Sequence, residues 1–299
     1  MVRPNLLLCF DAFGTLFRPK RNVALQYAEV ARQCGLTNFS DDDLRTSFAA
    51  AFKREAKANP NYGRATGLGA TQWWTNVIHR TFDPYLHSDQ ALPQDLAPRL
   101  LHRFSSEEGY VIEPDLVSSF RSLRTAQNSK HFSRIITGVI TNSDDRVPDV
   151  LSSFGLQVSP LRYGMNGSPF KTSGHDIDFH CMSYDVGHEK PDRRIFSAAE
   201  SMLDAILESQ GVQLEASTHS DRKSDKWLKV YVGDEYEKDV VGSITAGWTA
   251  VLLDPQGDYT QYPLVEDHLH LSLRDATHRC PVLRVQSIRD LIQWITAQA

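Results

Sequence analysis

The second half of the chain alternates short apolar segments with segments of helical spacing, and this alternation constrains the fold more than any other feature. After Gly109 the apolar segments are "RIITGVITNS", "DIDFHCMSY", "LKVYVGDE" and "WTAVLLD", and the stretches between them, such as "PDRRIFSAAESMLDAIL", repeat apolar residues at helical intervals. Strands that alternate with helices form parallel sheets with helices on both faces. The earlier apolar segment "NLLLCF", residues 5–10, is predicted to be a further strand of that sheet.

A helical block separates the first predicted strand from the others. Its segments "NVALQYAEVARQCGL" and "SDDDLRTSFAAAFKREAKA" carry helical spacing, and the second opens on Ser40, a favourable N-cap residue. We therefore predict an α/β core of residues 1–18 and 109–299, with a helical domain of residues 19–108 inserted into it. Two long polar stretches, 159–175 and 215–227, are predicted to be surface insertions.

Charge and composition narrow the classes of partner. The 299-residue chain has 32 basic and 37 acidic residues, a net charge of -5 that does not favour nucleic-acid binding. No apolar run reaches the roughly 18 residues that a membrane helix needs. The four cysteines include no CxxC pair and are typical of reduced thiols. We expect a small-molecule partner, no nucleic acid, no membrane, and an intracellular location, in the cytoplasm or in cytoplasm and nucleus.

Polar residues follow the predicted strands in a regular order. In an open parallel sheet, ligands bind beyond the carboxyl ends of the strands, so these residues are expected to meet. Three carboxylates, a lysine, a hydroxyl and an amide would be brought together. In chain order, the candidate residues are Asp11 with Gly14 and Thr15, Thr141 with Asn142, Lys190, and Asp234 with Asp239.

This set of side chains suits phosphoryl chemistry. Clustered carboxylates repel one another unless a cation offsets their charge, and Mg²⁺ is a hard cation that takes oxygen ligands. Lys190 and Thr141 could hold phosphate oxygens, and an aspartate can act as a covalent nucleophile. Taken singly, Asp11 also fits a turn or a helix cap, and Lys190 fits a solvated lysine. All four groups of candidate residues occur in order at predicted strand ends or just before a helix, and this favours the functional interpretation.

Four segments carry a family resemblance. "FDAFGTL", "VITNSDDR", "VGHEKPDRRIF" and "YVGDEYEKDVVGSITAGW" resemble the ordered motifs of the haloacid dehalogenase-like hydrolase superfamily, over roughly residues 5–255. The stretch "NPNYGRATGLGATQWWTNVI" is similar to the eukaryotic type-three subgroup of that superfamily. The resemblance implies a Rossmann-like core, a helical cap in place of the inserted block, and a Mg²⁺ site.

The resemblance also implies roles for the candidate residues. Asp11 matches the nucleophile and, with the backbone carbonyl of Phe13, Asp234 and Asp239, the metal ligands. Lys190 matches a catalytic group that also contacts the transferred phosphoryl. The predicted phosphate- and substrate-binding residues are Gly14, Thr15, Thr141, Asn142 and Lys190. The cap is expected to close over the substrate and to select it.

Phe13 departs from the pattern of the phosphatases that this chain resembles. Those enzymes usually carry an aspartate two residues after the nucleophile, and loss of such a general acid typically removes on the order of 10²- to 10⁴-fold in rate. The similar dehalogenases have an aromatic residue there, but they need no metal and generally lack the carboxylate pair seen here as Asp234 and Asp239. Three functions therefore stay open: a Mg²⁺-dependent phosphatase of reduced activity, a metal-independent 2-haloacid dehalogenase, and a catalytically inactive protein that binds a ligand or partner.

Overall fold

Six parallel strands form the central sheet of this computed structural model, which describes residues 4–87, 90–125, 132–165, 174–211, 227–268 and 273–297. The strands are β1 (Asn5–Phe10), β2 (Arg18–Pro19), β3 (Tyr110–Val111), β4 (Arg134–Thr141), β5 (Phe179–Met182), β6 (Trp227–Gly233), β7 (Thr249–Leu253) and β8 (Val282–Val285). The order across the sheet is β5–β4–β1–β6–β7–β8, and the two-residue strands β2 and β3 lie outside it. Parts of both predicted insertions, residues 166–173 and 215–226, lie outside the described residues.

Helices connect the strands and make up most of the inserted block. They are α1 (Val23–Gln33), α2 (Asp41–Ala58), α3 (Pro60–Gly63), α4 (Ala70–Phe82), α5 (Leu96–Arg103), α6 (Leu116–Thr125), α7 (Val147–Ser153), α8 (Ser183–Val186), α9 (Arg193–Ser209), α10 (Gly242–Thr245), α11 (Leu273–Arg279) and α12 (Ile288–Ala297). A π-helical turn, Tyr236–Val241, precedes α10. Within the described part of the chain, no helix combines the length and apolarity needed to cross a bilayer. The predicted fold class is confirmed.

Local signals at two helix starts had different outcomes. Ser40 caps α2 as expected, because its hydroxyl accepts a hydrogen bond from the Asp43 backbone N–H. The segment "PDRRIFSAAESMLDAIL" begins with Pro191, which predicts that this proline lies in the first helical turn, but α9 begins at Arg193 and Asp192 is its N-cap. The Asp192 carboxylate accepts the Arg194 backbone N–H at 2.9 Å, which satisfies an N–H that the first turn would leave unpaired.

Both faces of the sheet in the first unit are covered. On one face the ring of Tyr231 in β6 packs against Phe196 of α9, with ring centroids 5.1 Å apart. On the other face Phe10 of β1 packs against Phe120 of α6, also at 5.1 Å. Strands covered on both sides are apolar throughout rather than alternating. This burial explains why the "NLLLCF" segment carries no polar side chain between Leu6 and Phe10.

The chain folds into two compact units. The first comprises the residues up to Arg18, from Ile112 to Ser143, and from Gly155 onward; the second comprises Pro19–Val111 and Asp144–Phe154. The sequence-based division placed residues 144–154 in the core, whereas here they pack with the helical unit. The division into core and cap as functional domains stays a prediction.

An ion pair inside the second unit explains why residues 144–154 belong to it. The Arg146 guanidinium contacts both oxygens of the buried Asp144 carboxylate and lies 4.3 Å from the centre of the Trp74 ring. Trp74 in turn donates its indole N–H to Asp144 at 2.6 Å. Burial alone would raise the pKa of Asp144, but the guanidinium outweighs it and holds that pKa below its usual value. These contacts attach the segment to α4.

A buried carboxyl group joins β4 to the segment that leads into β5. Asp178 accepts hydrogen bonds from the backbone N–H of Thr137 at 2.9 Å and from its hydroxyl at 3.1 Å. Burial raises the pKa of Asp178 to about 6, although the hydrogen bonds from Thr137 oppose this shift. The folded protein therefore binds the Asp178 proton more tightly than the unfolded chain does.

We expect Asp178→Asn to change how stability depends on pH. The stabilisation from protonated Asp178 is fully present below the unfolded pKa of about 4 and is lost as the pH rises through the folded pKa. Asparagine does not titrate. The unfolding free energy of the wild type minus that of the variant should therefore fall by on the order of 1–2 kcal/mol from about pH 4 to about pH 7. Urea unfolding across this range measures the difference, and a pH-independent difference would contradict the expectation.

Candidate active site

The carboxyl end of β1 lies at the point where the strand order changes direction. β4 pairs with one edge of β1 and β6 with the other, and ligands of open α/β sheets bind at such a switch point. Asp11 directly follows β1, Thr141 is the last residue of β4, and Asp234 directly follows β6. The Asp11 backbone N–H donates to the Val232 carbonyl at 2.8 Å, so the turn that carries Asp11 is held against β6. The polar residues that follow these strands thus meet at one edge of the sheet.

Three carboxylates are close together at this edge. Asp11, Asp234 and Asp239 each offer an oxygen, and these oxygens all lie within 4.8 Å of one another. Burial raises the pKa of Asp234, and the neighbouring Asp11 raises it further against the opposing hydrogen bond from Thr15. Burial also raises the pKa of Asp239, to about 6, with Lys190 opposing the shift and Asp11 adding to it. Burial is the largest cause of both shifts, because it disfavours the charged form of a carboxyl group.

The Lys190 ammonium is buried among these carboxylates. Its nitrogen lies 2.8 Å from Asp11 Oδ1 and 2.7 Å from Asp239 Oδ1, and its side chain is only 1% exposed. It also donates to the Tyr231 hydroxyl at 2.8 Å. Burial by itself would lower the pKa of Lys190, but the two carboxylates outweigh burial and raise it. The lysine therefore stays charged and partly neutralises the acidic trio.

The side chain of Asn142 fixes the backbone at Lys190. Its Oδ1 accepts the Lys190 backbone N–H at 2.7 Å, and its Nδ2 donates to the Lys190 carbonyl at 3.0 Å. These two bonds tie the residue after β4 to the segment that precedes α9. The phosphate-binding role of Asn142 stays a prediction, since its amide contacts the lysine backbone here. Thr141, the last residue of β4 and also a predicted phosphate-binding residue, is 1% exposed.

The turn after β1 leaves room for a carboxylate and orients it. Gly14 has a φ of +84°, and a Cβ atom there would lie 2.2 Å from Asp234 Oδ2. Thr15 donates its hydroxyl to Asp234 Oδ1 at 2.8 Å. Only glycine combines this left-handed backbone with the close approach. Gly14 and Thr15 therefore place Asp234, and their predicted phosphate contacts stay predictions.

Phe13 lies two residues after Asp11, where the phosphatases that this chain resembles carry a second aspartate. Its ring is half-buried and packs edge-to-face on Phe17, with centroids 4.7 Å apart. The side chain has no group that could donate or accept a proton. The metal-ligand role predicted for the Phe13 carbonyl stays a prediction.

Sequence reasoning missed two residues that shape this site. A Cβ at Gly233 would lie 2.3 Å from the Asp239 carboxyl carbon, so this glycine makes the approach of Asp239 possible. Its position directly before Asp234 was a usable signal. Tyr231 was interpreted as part of an apolar strand, although a buried hydroxyl requires a hydrogen-bond partner and so points to a polar neighbour.

The donors present fit a hard divalent cation. All are oxygens, and the Lys190 ammonium supplies one positive charge against three carboxylates. Both oxygens of Asp239 already have partners, Lys190 Nζ at 2.7 Å and the Glu235 backbone N–H at 2.8 Å. Asp234, the most exposed of the trio, and Asp11 are therefore the carboxylates best suited to bind a cation.

Comparison with known proteins identifies the class that this fold and site define. A model of the haloacid dehalogenase-like hydrolases matches residues 6–210. The chain belongs to this family of hydrolases. It is 30% identical, over 277 residues, to haloacid dehalogenase-like hydrolase domain-containing protein 3 of Danio rerio, covering 92% of this chain and 96% of the relative. The predicted resemblance to the type-three subgroup is confirmed.

Solved structures share the fold at low sequence identity. A 2-haloacid dehalogenase from Pseudomonas syringae pv. Tomato DC3000 superimposes with a TM-score of 0.53 at 20% identity, covering 98% of this chain and 99% of that one. The HAD-hydrolase YfnB of Bacillus subtilis, which was solved with bound magnesium, gives 0.51 at 12% identity, with 98% and 99% covered. At these identities the likeness establishes the fold alone.

We expect Gly14→Ala to destabilise the protein more than Gly35→Ala. Both glycines have positive φ, +84° and +86°, but a Cβ at Gly35 meets nothing within 4 Å, whereas one at Gly14 meets Asp234. The shared backbone strain cancels in the comparison, and the contact with Asp234 should cost roughly a further 1–2 kcal/mol of unfolding free energy. Urea unfolding of the two variants measures this difference. Equal losses would show that Asp234 is not held against the Gly14 backbone.

Proposed function

We propose that this hydrolase removes phosphate from a small phosphorylated metabolite, with Mg²⁺ as cofactor and Asp11 as the nucleophile. The observation that carries the proposal is the group of three carboxylate oxygens within 4.8 Å around the buried Lys190 ammonium. Such a set of carboxylates suits a reaction that transfers an anionic, oxygen-rich group. Other reactions would have little use for it. Free thiols at Cys9, Cys34, Cys181 and Cys280 accord with an intracellular location.

In the proposed reaction an oxygen of Asp11 attacks the phosphorus atom of the substrate. The bond from phosphorus to the leaving oxygen breaks as the aspartyl phosphate forms, and water then hydrolyses this intermediate. Lys190, 2.8 Å from Asp11 Oδ1, would neutralise charge on the transferring group, and Thr141 would contact its oxygens. Bound Mg²⁺, held by Asp11, Asp234 and the Phe13 carbonyl beside Asp239, would supply further charge neutralisation.

Phe13 limits this proposed chemistry to leaving groups that depart with little need for protonation. A departing alkoxide requires a proton, and the phenylalanine ring cannot provide one. Substrates whose leaving group is stable as an anion should therefore react faster than alkyl phosphates. Selection among such substrates is assigned, in this proposal, to the helical cap predicted for residues 19–108.

A first experiment tests the nucleophile and the metal together. Hydrolysis of nitrophenyl phosphate should require Mg²⁺, stop on chelation, and fall by about 10³-fold or more in Asp11→Asn, because the amide is a poor nucleophile. Asp115→Asn is the matched control, since the Asp115 side chain is 53% exposed and pairs with Arg289 at the surface. Turnover that persists in Asp11→Asn, or no turnover by the wild type over a broad panel of phosphate esters, would refute the proposal.

A second experiment tests the missing acid. Phe13→Asp should raise kcat for an alkyl phosphate by roughly 10²-fold, because the new carboxyl group can protonate the alkoxide. The gain should be smaller for nitrophenyl phosphate, whose phenolate leaves without a proton. Phe13→Asn is the matched control, because asparagine has the same shape as aspartate and carries no acidic proton that could be transferred to the alkoxide. Equal gains in both variants would attribute the effect to the removed ring rather than to acid catalysis.

The aromatic side chain of Phe13 favours a second candidate, hydrolysis of a carbon–halogen bond. A halide leaves without a proton, so an aromatic residue beside the nucleophile does not hinder that reaction. Halide release from a 2-haloacid, measured with a chelator present, tests this candidate. We rank it second because the carboxylates of Asp234 and Asp239 have no role in a metal-independent displacement.

A further inference from the structure

We propose that Tyr231 is a positioning residue whose hydroxyl holds the Lys190 ammonium beside Asp11, 2.8 Å from its Oδ1. The geometry of the buried hydroxyl carries this proposal. Its kinetic consequence rests on the proposed function above, whereas the positioning itself can be measured without substrate or metal.

The Tyr231 hydroxyl both donates and accepts a hydrogen bond inside the site. It donates to the carbonyl of Ile140, the residue before Thr141, at 2.6 Å. It accepts from Lys190 Nζ at 2.8 Å. A phenol has a single proton, and the Ile140 carbonyl at 2.6 Å is a nearer acceptor for it than Asp239 Oδ1 at 3.5 Å. With the proton on the Ile140 side, the oxygen lone pairs are available to the ammonium. The backbone of β4 thus sets the orientation of a hydroxyl carried by β6.

The number of lysine donors explains what this hydroxyl achieves. An ammonium group has three N–H bonds in a fixed tetrahedral arrangement. Tyr231 and Asp239 accept two of them, at 2.8 Å and 2.7 Å, and Asp11 Oδ1 lies 2.8 Å from the same nitrogen. With two N–H directions fixed by these acceptors, the charged nitrogen is held in contact with the proposed nucleophile. Loss of either acceptor would free the ammonium to rotate and to move.

The ring and the hydroxyl of Tyr231 make separate contacts. Tyr231 is 1% exposed, pairs with Cys9 across β6 and β1, and packs at 85° against Phe196 of α9. Phenylalanine would fill the same space, so packing alone does not require tyrosine. A buried hydroxyl without partners would be unfavourable, and here both of its partners belong to the chain segments that form the site.

The direct test measures the chemical reactivity of the Lys190 amine by reductive methylation with formaldehyde and borohydride. Lys229 lies on the same strand as Tyr231 and is held by Glu200 at 2.7 Å, so it serves as the internal standard for local opening of β6. Tyr231→Phe should raise methylation of Lys190 relative to Lys229 by about 5-fold or more, because one of the three restraints is lost. Tyr27→Phe, which removes another buried tyrosine hydroxyl from helix α1, should leave the ratio unchanged.

The kinetic test uses nitrophenyl phosphate and Mg²⁺. Tyr231→Phe should lower kcat roughly 10-fold, as expected for loss of a hydrogen bond to a charged group, with KM changed by less than about 2-fold. A loss confined to protein stability would leave kcat per folded molecule unchanged and would count against the proposal.

The two readouts distinguish failure of this inference from failure of the proposed function. An unchanged methylation ratio in Tyr231→Phe overturns the positioning role, whatever the enzyme hydrolyses. An increased ratio together with no phosphatase activity in any variant supports the positioning role and refutes the proposed function. An equal increase in Tyr27→Phe would show that the effect is general loosening, and would also overturn the inference.

Discussion

The interaction on which the site depends is the burial of one ammonium group among carboxylates. Lys190 is enclosed at the carboxyl edge of the sheet, within 2.8 Å of Asp11 and of Asp239. An unpaired charge at this depth would be strongly unfavourable, so the lysine and the carboxylates stabilise one another's charged forms. The balance is incomplete, because burial and mutual repulsion still raise the pKa of Asp234 and Asp239. Three carboxylates against one ammonium leave negative charge at this edge, which suits it to a cation.

The backbone around this charge cluster is built to permit close approach. Gly14 and Gly233 leave the space that the carboxylates of Asp234 and Asp239 occupy, and Asn142 fixes the main chain that carries the lysine. None of these three residues needs to touch a substrate to matter. Phe13 brings no polar side-chain group to this turn, and its ring packs on Phe17.

Much of this arrangement could be predicted from the sequence, because strand ends in a parallel sheet meet at one edge. The β1 strand spans the predicted residues 5–10, and Asp11, Lys190, Asp234 and Asp239 come together as expected. The sequence did not predict β8, whose four residues include Arg284. That arginine is buried because Asp254, far along the chain, contacts it at 3.0 Å. A pattern of apolar residues cannot anticipate a charge that is paired by tertiary contact.

By itself, the sequence determined the fold class, the family and the identities of the acidic residues, since periodicity and ordered motifs are local properties of the chain. The tertiary structure alone decided how the groups are partnered. It showed that the amide of Asn142 binds the lysine backbone, that residues 144–154 pack with the helical unit through Arg146, and that Tyr231 reaches across β1 to Ile140 and Lys190. Hydrogen-bond partners depend on distances of a few tenths of an ångström between residues remote in sequence, and only the folded chain sets those distances.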